Sequence, residues 1–444
     1  MNLPESFINQ THSLLKNEAD LFLEALEKAV ITSIRLNLSK SSDAFATDEK
    51  VDWCTEGRNL SNRPEFIADP LFHAGAYYVQ ESSSMFLSYI FSQIINKKPS
   101  IKVLDLCAAP GGKSTLIASM LDKSSLLVSN EIIKNRVKIL EENLTRWGNP
   151  NVIISSNDPK EIGAIKNYFD VILVDAPCSG EGMFRKDKNA IDEWSESNID
   201  LCVARQKRIL SDVIPALKPE GFLIYSTCTF NTKENEENID WLATQHQLNV
   251  IDIEIPFPQL VKSRNGIRFY PHKVKGEGLF VSVLQKKEHL ETRFEFKPRF
   301  HKHKNKFPEL NKWLIDFEDF VFVKKDDQFN VYPKSILEDY LYLKQKLSIR
   351  FAGIPLGKLD KNNELIPTHA LAMSTQLSEN VKKLELDLPS AQKFLQKKNL
   401  ILKNEISQGW YLITYQGLGL GWIKVLANRI NNYLPNEFRI LKEL

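Results

Sequence analysis

From residue 101 onward, short β-branched runs alternate with longer helical stretches, and that rhythm constrains the fold more than any other feature of the chain. The runs fall at 101–106, 126–130, 152–155, 171–174 and 222–225. Helical spacing lies between them near 113–121, 132–147, 199–217 and 233–245, the second ending before Gly148-Asn149-Pro150, residues that stop a helix. Strands alternating with helices of this length predict a doubly wound α/β sheet, because each crossover helix returns the chain to start a parallel strand. The later runs, 250–255, 267–270 and 279–284, have only one helix among them, so the sheet is expected to finish in a hairpin.

At 444 residues the chain is too long for that core alone, since domains usually run to about 100–200 residues. Residues 1–97 read as an α+β domain: apolar residues from Phe7 to Leu26 follow helical spacing with Pro4 in the first turn, and 34–38 alternate like a strand. The core is placed at 98–286, a basic linker at 287–308 and a C-terminal α+β region at 309–444. Across 286–306, eight Lys and Arg face three Glu, with Phe294, Phe296 and Phe300 interleaved. That pattern suits either a solvated connector or stacking faces beside phosphate contacts for an RNA strand.

Charge excludes little, because 58 Lys+Arg against 56 Asp+Glu leaves only +2 and any nucleic-acid affinity must be local. Lys16, Glu18 and Asp20 interrupt the stretch a signal peptide would need, and no apolar run reaches the length of a membrane span, so a cytoplasmic protein is expected. The five cysteines are scattered and form no CxxC pair, which argues against a disulfide framework and against a metal site.

The turn after the first strand is Cys107-Ala108-Ala109-Pro110-Gly111-Gly112-Lys113, and Ser114 resumes as helix. Small residues there let the backbone approach a ligand at a helix N-terminus. A phosphate-binding P-loop would need glycine five positions before Gly112, where this chain has Cys107, and the GxGxxG dinucleotide pattern is absent too. Glu131 closes the second strand 19 residues after Gly112, at the spacing of a carboxylate that grips ribose hydroxyls. Asp158 ends the third strand and Asp175 the fourth. Acids at successive strand ends face the crevice where open α/β sheets bind ligands. A nucleoside without a polyphosphate is the economical ligand, and S-adenosylmethionine (SAM) is the common one.

Two cysteines follow neighbouring strands, Cys178 in Asp175-Ala-Pro-Cys-Ser-Gly180 and Cys228 in Ser226-Thr-Cys-Thr229. A cysteine is more often a buried small hydrophobe than a nucleophile, the reading kept for Cys54 and Cys202. For the pair a chemical role is expected. Cytosine C5 cannot attack a methyl donor until a nucleophile has added at C6, and a thiolate suits that step. Losing the C5 proton and releasing the thiol afterwards gives a second residue work to do.

These motifs, with Glu181-Gly-Met-Phe-Arg-Lys186 and the later Gly417-Leu-Gly-Leu-Gly-Trp422, resemble the Fmu/Sun family of RNA cytosine-C5 methyltransferases. They are most similar to its bacterial RsmF branch, which acts on small-subunit ribosomal RNA. The resemblance implies a Rossmann-like methyltransferase core with a PUA-like RNA-binding extension over 309–444. It makes Cys228 the nucleophile and Cys178 the residue assisting product release. It assigns Cys107, Ala108, Ala109, Pro110, Gly111, Gly112, Lys113, Glu131, Asp158 and Asp175 to SAM, with Asp175 also near the cytosine. Arg185 and Lys186 are expected to contact the RNA backbone or to be plain surface charges. The implied partner is ribosomal RNA or the small ribosomal subunit, bound by a monomer without metal or membrane. A transfer-RNA methyltransferase of the same chemistry, and a non-catalytic SAM-binding assembly factor, stand as alternatives.

Overall fold

The computed structural model describes residues 1–95, 99–287, 307–400 and 406–444. Its central sheet has ten strands: β1 Lys102–Asp105, β2 Leu126–Asn130, β3 Val152–Ser155, β4 Phe169–Asp175, β5 Leu217–Thr227, β6 Leu248–Val250, β7 Val261–Ser263, β8 Gly266–Phe269, β9 Leu279–Lys286 and β10 Ile349–Ala352. The order is β7-β8-β9-β5-β4-β1-β2-β3-β10, with β6 also on β9. From β3 to β5 the pairs are parallel, and β9, β8 and β7 add antiparallel beyond them. The chain reverses its direction of winding between β1 and β4, which opens the crevice above their carboxyl ends.

The parallel strands read as unbroken apolar runs because both faces are covered. Val103, Leu127, Ile154, Val171 and Ile224 pack on one side, while Leu104, Val128, Ile153, Ile172 and Leu223 pack on the other. The crossover helices are Gly112–Met120, Lys134–Trp147, Glu196–Val213 and Glu236–Gln245, close to their expected positions. Helix 199–217 was expected to run later than it does. A 3-10 turn at Ile214–Ala216 ends it, and β5 starts at Leu217 through a bulge against β4. The expected strand at 250–255 is the larger departure. β6 pairs only with Leu284–Lys286 of β9, because β8 occupies the same edge from Leu279 to Val281.

In the N-terminal region, helices Glu5–Leu15 and Ala19–Glu27 lie apart from the apolar cluster of their own sheet, with Pro4 as the residue capping the first. Phe7, Phe22 and Leu26 instead join Phe184, Trp194, Phe230 and Tyr270 of the core. The sheet of Glu49–Val51, Cys54–Asn59, Ser33–Leu36 and Tyr77–Val79 brings Tyr78 and Gln80 against the glycine-rich turn.

Beyond residue 307 the described residues form two four-stranded sheets. One comprises Phe320–Lys325, Gln328–Pro333, Ile354–Leu359 and Leu365–Pro367, the other Lys383–Glu385, Gly409–Tyr415, Leu418–Val425 and Ile430–Asn432. Between two strands of the first, the chain leaves to form β10, pairing Phe351 with Ile154 on the edge of the core sheet. Asp339 accepts from Tyr168 Oη at 2.5 Å and pairs with Lys102 of β1. Part of the C-terminal region is therefore built into the core. The basic linker's Phe294, Phe296 and Phe300, and the 97/98 boundary, lie outside the described residues. Among those described, no helix is long and apolar enough to cross a membrane.

Candidate active site

The turn after β1 is held from several sides. Ala108 N donates to Asn130 O at 2.9 Å, Arg136 Nη2 to Ala109 O at 2.6 Å and Asn143 Nδ2 to Pro110 O at 2.8 Å. Gly111 stands at φ +117°, a conformation that favours glycine, and caps the following helix. A Cβ on Gly112 would lie 3.3 Å from Tyr78 Cε1, so the N-terminal sheet closes directly on this turn.

Glu131 is buried where β2 ends. Its Oε1 accepts from Ile133 N at 2.9 Å, while Oε2 has no hydrogen-bond partner and lies 3.4 Å from Arg136 Nη1. Asp158 is placed differently from the expectation. It caps the short helix Pro159–Gly163 through Lys160 N and pairs with Arg208 at 3.2 Å, outside the crevice lining. Its neighbours Asn157 and Pro159 line the crevice instead.

Two cavities meet above the sheet. The larger, about 850 Å3, is lined by Cys107, Ala109, Asn130, Glu131, Cys178 and Arg205 among others. The smaller, about 330 Å3, takes its walls from Tyr78, Gln80, Glu81 and Ser84 of the N-terminal region and from Ala108, Pro110, Gly112, Lys113, Lys186 and Glu277. Cys107, Ala109, Asp175, Met183 and Cys228 line both. Gly111 and Asp158 line neither, Gly111 shaping the turn from beneath.

At that junction Cys178 Sγ and Cys228 Sγ stand 3.1 Å apart as free thiols. The hydrogen bond to Cys228 and burial push the Cys178 thiol well above its usual range, with the Cys228 and Glu234 charges adding to the effect. Cys178 is therefore held as a protonated thiol at neutral pH. Asp175 accepts from Lys113 Nζ at 2.7 Å and from Ser226 Oγ at 2.7 Å. Burial pulls the Lys113 ammonium down, but Asp175, Asp105 and Cys228 together raise it, so it stays charged.

Two buried carboxylates that sequence reasoning missed hold the cysteine loops in register. Glu234 accepts from Ser179 N at 3.0 Å, Gln206 Nε2 at 2.7 Å and Asn231 Nδ2 at 2.7 Å. Glu181 accepts from Phe230 N at 2.6 Å and Asn231 N at 2.9 Å, while Gly182 N donates to Cys228 O at 2.8 Å. The available signal was a carboxylate just beyond each cysteine motif, but polar residues in loops are common. Arg185 is not a plain surface charge: its side chain, 7% exposed, donates to Gly276 O and Ala29 O and faces Glu277, so it ties the N-terminal region to the core. Lys186 remains a third exposed at the smaller cavity.

Residues 3–82 match the N-terminal domain of 16S rRNA methyltransferase RsmF, 92–285 match 16S rRNA methyltransferase RsmB/F and 381–440 match the methyltransferase RsmF PUA domain. The ribosomal RNA small subunit methyltransferase F of Shewanella loihica is 32% identical over 98% of this chain and 95% of its own. The chain belongs to the RsmF branch of the RsmB/F methyltransferase family. Its counterpart in Psychromonas ingrahamii is 30% identical over 98% of this chain and 97% of its own. A crystal structure of a methyltransferase homolog from Pyrococcus horikoshii, 28% identical, aligns with TM-score 0.55 over 64% of this chain and 95% of its own. The PUA match takes in the sheet from Lys383 onward and leaves the sheet at 320–367 outside it. SAM is the family's cofactor, and the larger cavity fits it: Glu131 Oε2 offers a buried carboxylate oxygen in want of a donor, in a wall that Cys107 and Ala109 of the small-residue turn also line.

Proposed function

We propose that this protein methylates C5 of a cytosine in small-subunit ribosomal RNA through a covalent bond between Cys228 and C6. The observation that carries the reading is the pair of free thiols 3.1 Å apart, where a cofactor-sized cavity opens into one large enough for a single nucleotide. The target base must leave its stack to enter the smaller cavity, at a cost of a few kcal/mol.

Cys228 acts as the thiolate, with Lys113 nearby as countercharge and the Cys178 thiol as hydrogen-bond donor to its sulfur. As the S–C6 bond forms, the C5=C6 π pair moves to C5 and into the ring. In this reading Asp175 accepts from the N4 amino group and Lys113, its partner at the wall of the smaller cavity, donates to the ring edge beside it, which favours that shift. SAM supplies the methyl group. The C5 proton then passes to water, its bonding pair reforms C5=C6, and Cys228 departs as a thiolate. Cys178, which retains its proton, again hydrogen-bonds the departing sulfur and so speeds release. The proposed cofactor contacts are Glu131 with Cys107 and Ala109 of the turn, the rest of the turn to Gly112 holding those two in place, and Asp158 is proposed to act by fixing Pro159 and Asn157 at the cavity wall.

Incubation of each variant with SAM and small-subunit rRNA from cells lacking the gene, followed by denaturing gel electrophoresis and bisulfite sequencing, tests this. Cys228→Ala should give neither adduct nor methylcytosine, whereas Cys178→Ala should accumulate a protein–RNA adduct. An adduct from Cys228→Ala and none from Cys178→Ala would exchange the two roles. No methylation by the wild type would refute the reading.

A further inference from the structure

Glu277 has no part in the chemistry above, yet it lines the nucleotide-sized cavity with Cys228 and Asp175. Its side chain is only 5% exposed, and Oε2 is buried without a hydrogen-bond partner. No cation reaches hydrogen-bond distance, since Arg185 Nε lies 3.6 Å from Oε2 and Lys186 Nζ 3.8 Å from Oε1. Burial pushes its carboxyl upward against the pull of Lys186 and Arg185. The surrounding chain is fixed: Glu277 N donates to Glu81 Oε1 at 3.0 Å, and Cβ atoms on Gly276 or Gly278 would collide with Ser83 or Phe230. A buried acceptor held rigidly in a cavity wall calls for a donor from the ligand.

The chemistry of the base says which donor. C5 must face the cofactor cavity, and the N4 amino group sits one atom from C5, so that amine belongs at the wall the two cavities share. C6 carries the Cys228 sulfur, and N1, which bears the ribose, adjoins C6 on the side away from C4. Glu277 lines only the smaller cavity, and it lies on the Cys228 flank: Gly182 N donates to Cys228 O at 2.8 Å, and a Cβ on Gly182 would lie 3.4 Å from Gly278 O, next to Glu277. On that flank the base offers O2, an acceptor, and the strand offers esterified 3′ and 5′ oxygens. The remaining donor is the ribose 2′-hydroxyl.

We propose that Glu277 accepts a hydrogen bond from the 2′-hydroxyl of the target nucleotide and thereby selects RNA over DNA at the reacting position. Lys186, at the cavity mouth, neutralises the adjoining phosphate that the carboxylate would otherwise repel. The inference rests on the covalent cytosine reading above.

The test uses the full chain, SAM and small-subunit rRNA ligated to carry 5-fluorocytidine or 5-fluoro-2′-deoxycytidine at the cytosine located by bisulfite sequencing. Fluorine at C5 blocks proton loss, so the adduct persists and its rate of formation is read on denaturing gels. The wild type should trap the ribonucleotide roughly ten- to a hundredfold faster, the value of one hydrogen bond to a charged group. In Glu277→Ala that ratio should fall to about one, and in Glu277→Gln, which keeps an acceptor oxygen, to an intermediate value. A wild-type ratio near one overturns the inference without any variant. So does a Glu277→Ala protein, shown by calorimetry to bind SAM, that slows on both substrates and keeps the ratio. No adduct with either substrate would instead bring down the covalent reading on which it rests.

Discussion

Replacing Glu131 with alanine should weaken SAM binding without unfolding the protein. One carboxylate oxygen is committed to Ile133 N at 2.9 Å, so the structure leaves Oε2, with its 3.4 Å approach to Arg136, as the free acceptor for a ribose hydroxyl. Because that oxygen is buried before the ligand arrives, binding does not have to desolvate it again. A hydrogen bond to a charged group is then worth about 1.5–3 kcal/mol, or roughly ten- to a hundredfold in Kd. Folding stability should change less. Removal of the Ile133 contact costs about 1 kcal/mol near the start of helix Lys134–Trp147, and removal of an unpartnered buried oxygen offsets part of it. Calorimetric titration with SAM, beside a melting curve of the apo protein, measures both. Glu131→Gln, which keeps the shape and loses the charge, should fall between wild type and alanine. A folded Glu131→Ala protein with SAM affinity within twofold of wild type would refute the assignment.

Ending the chain at residue 286 should damage the core, because it strips β10 from β3 and removes Asp339 from Lys102 and Tyr168. The bared strand edge should promote association; light scattering and SAM calorimetry check this, and a dispersed, fully SAM-binding fragment would show the C-terminal region to be dispensable to the core. Burial holds His369 near a pKa of about 3 and His73 near about 4, so both stay neutral in the folded protein while they protonate in the unfolded chain below about 6.5. The unfolded state then binds more protons, and each should cost about 2 kcal/mol of stability between pH 6.5 and 5. His369→Leu should lose its share of that slope in urea melts at the two pH values. The comparison cancels Asp105, whose carboxyl, raised to about 7 by burial, acts in the opposite sense. An unchanged slope would mean that His369 gains its proton in the folded state too.

Reading the sequence alone was enough to find the parallel core, the glycine-rich turn and the paired cysteines, since each is encoded within a few adjacent residues. Apolar periodicity reports on burial at both faces of a strand, and the turn's small residues report on close backbone approach. Asp158 shows where such local reasoning stops: a carboxylate at a strand end carries no mark of whether it also caps the next helix, as Asp158 does through Lys160 N beside its pair with Arg208. Arg185 is a similar case, a charge in a loop until Gly276, Ala29 and Glu277 close around it from distant parts of the chain. Tertiary structure alone decided the 3.1 Å between Cys178 and Cys228, the Glu234 and Glu181 bonds that hold their loops, and the return of Ile349–Ala352 to an edge nearly 200 residues upstream. These depend on which long-range partner reaches a given hydrogen-bonding group first. A short strand or a single polar side chain carries no mark of its partner, because the partner is supplied by the packing of everything between them.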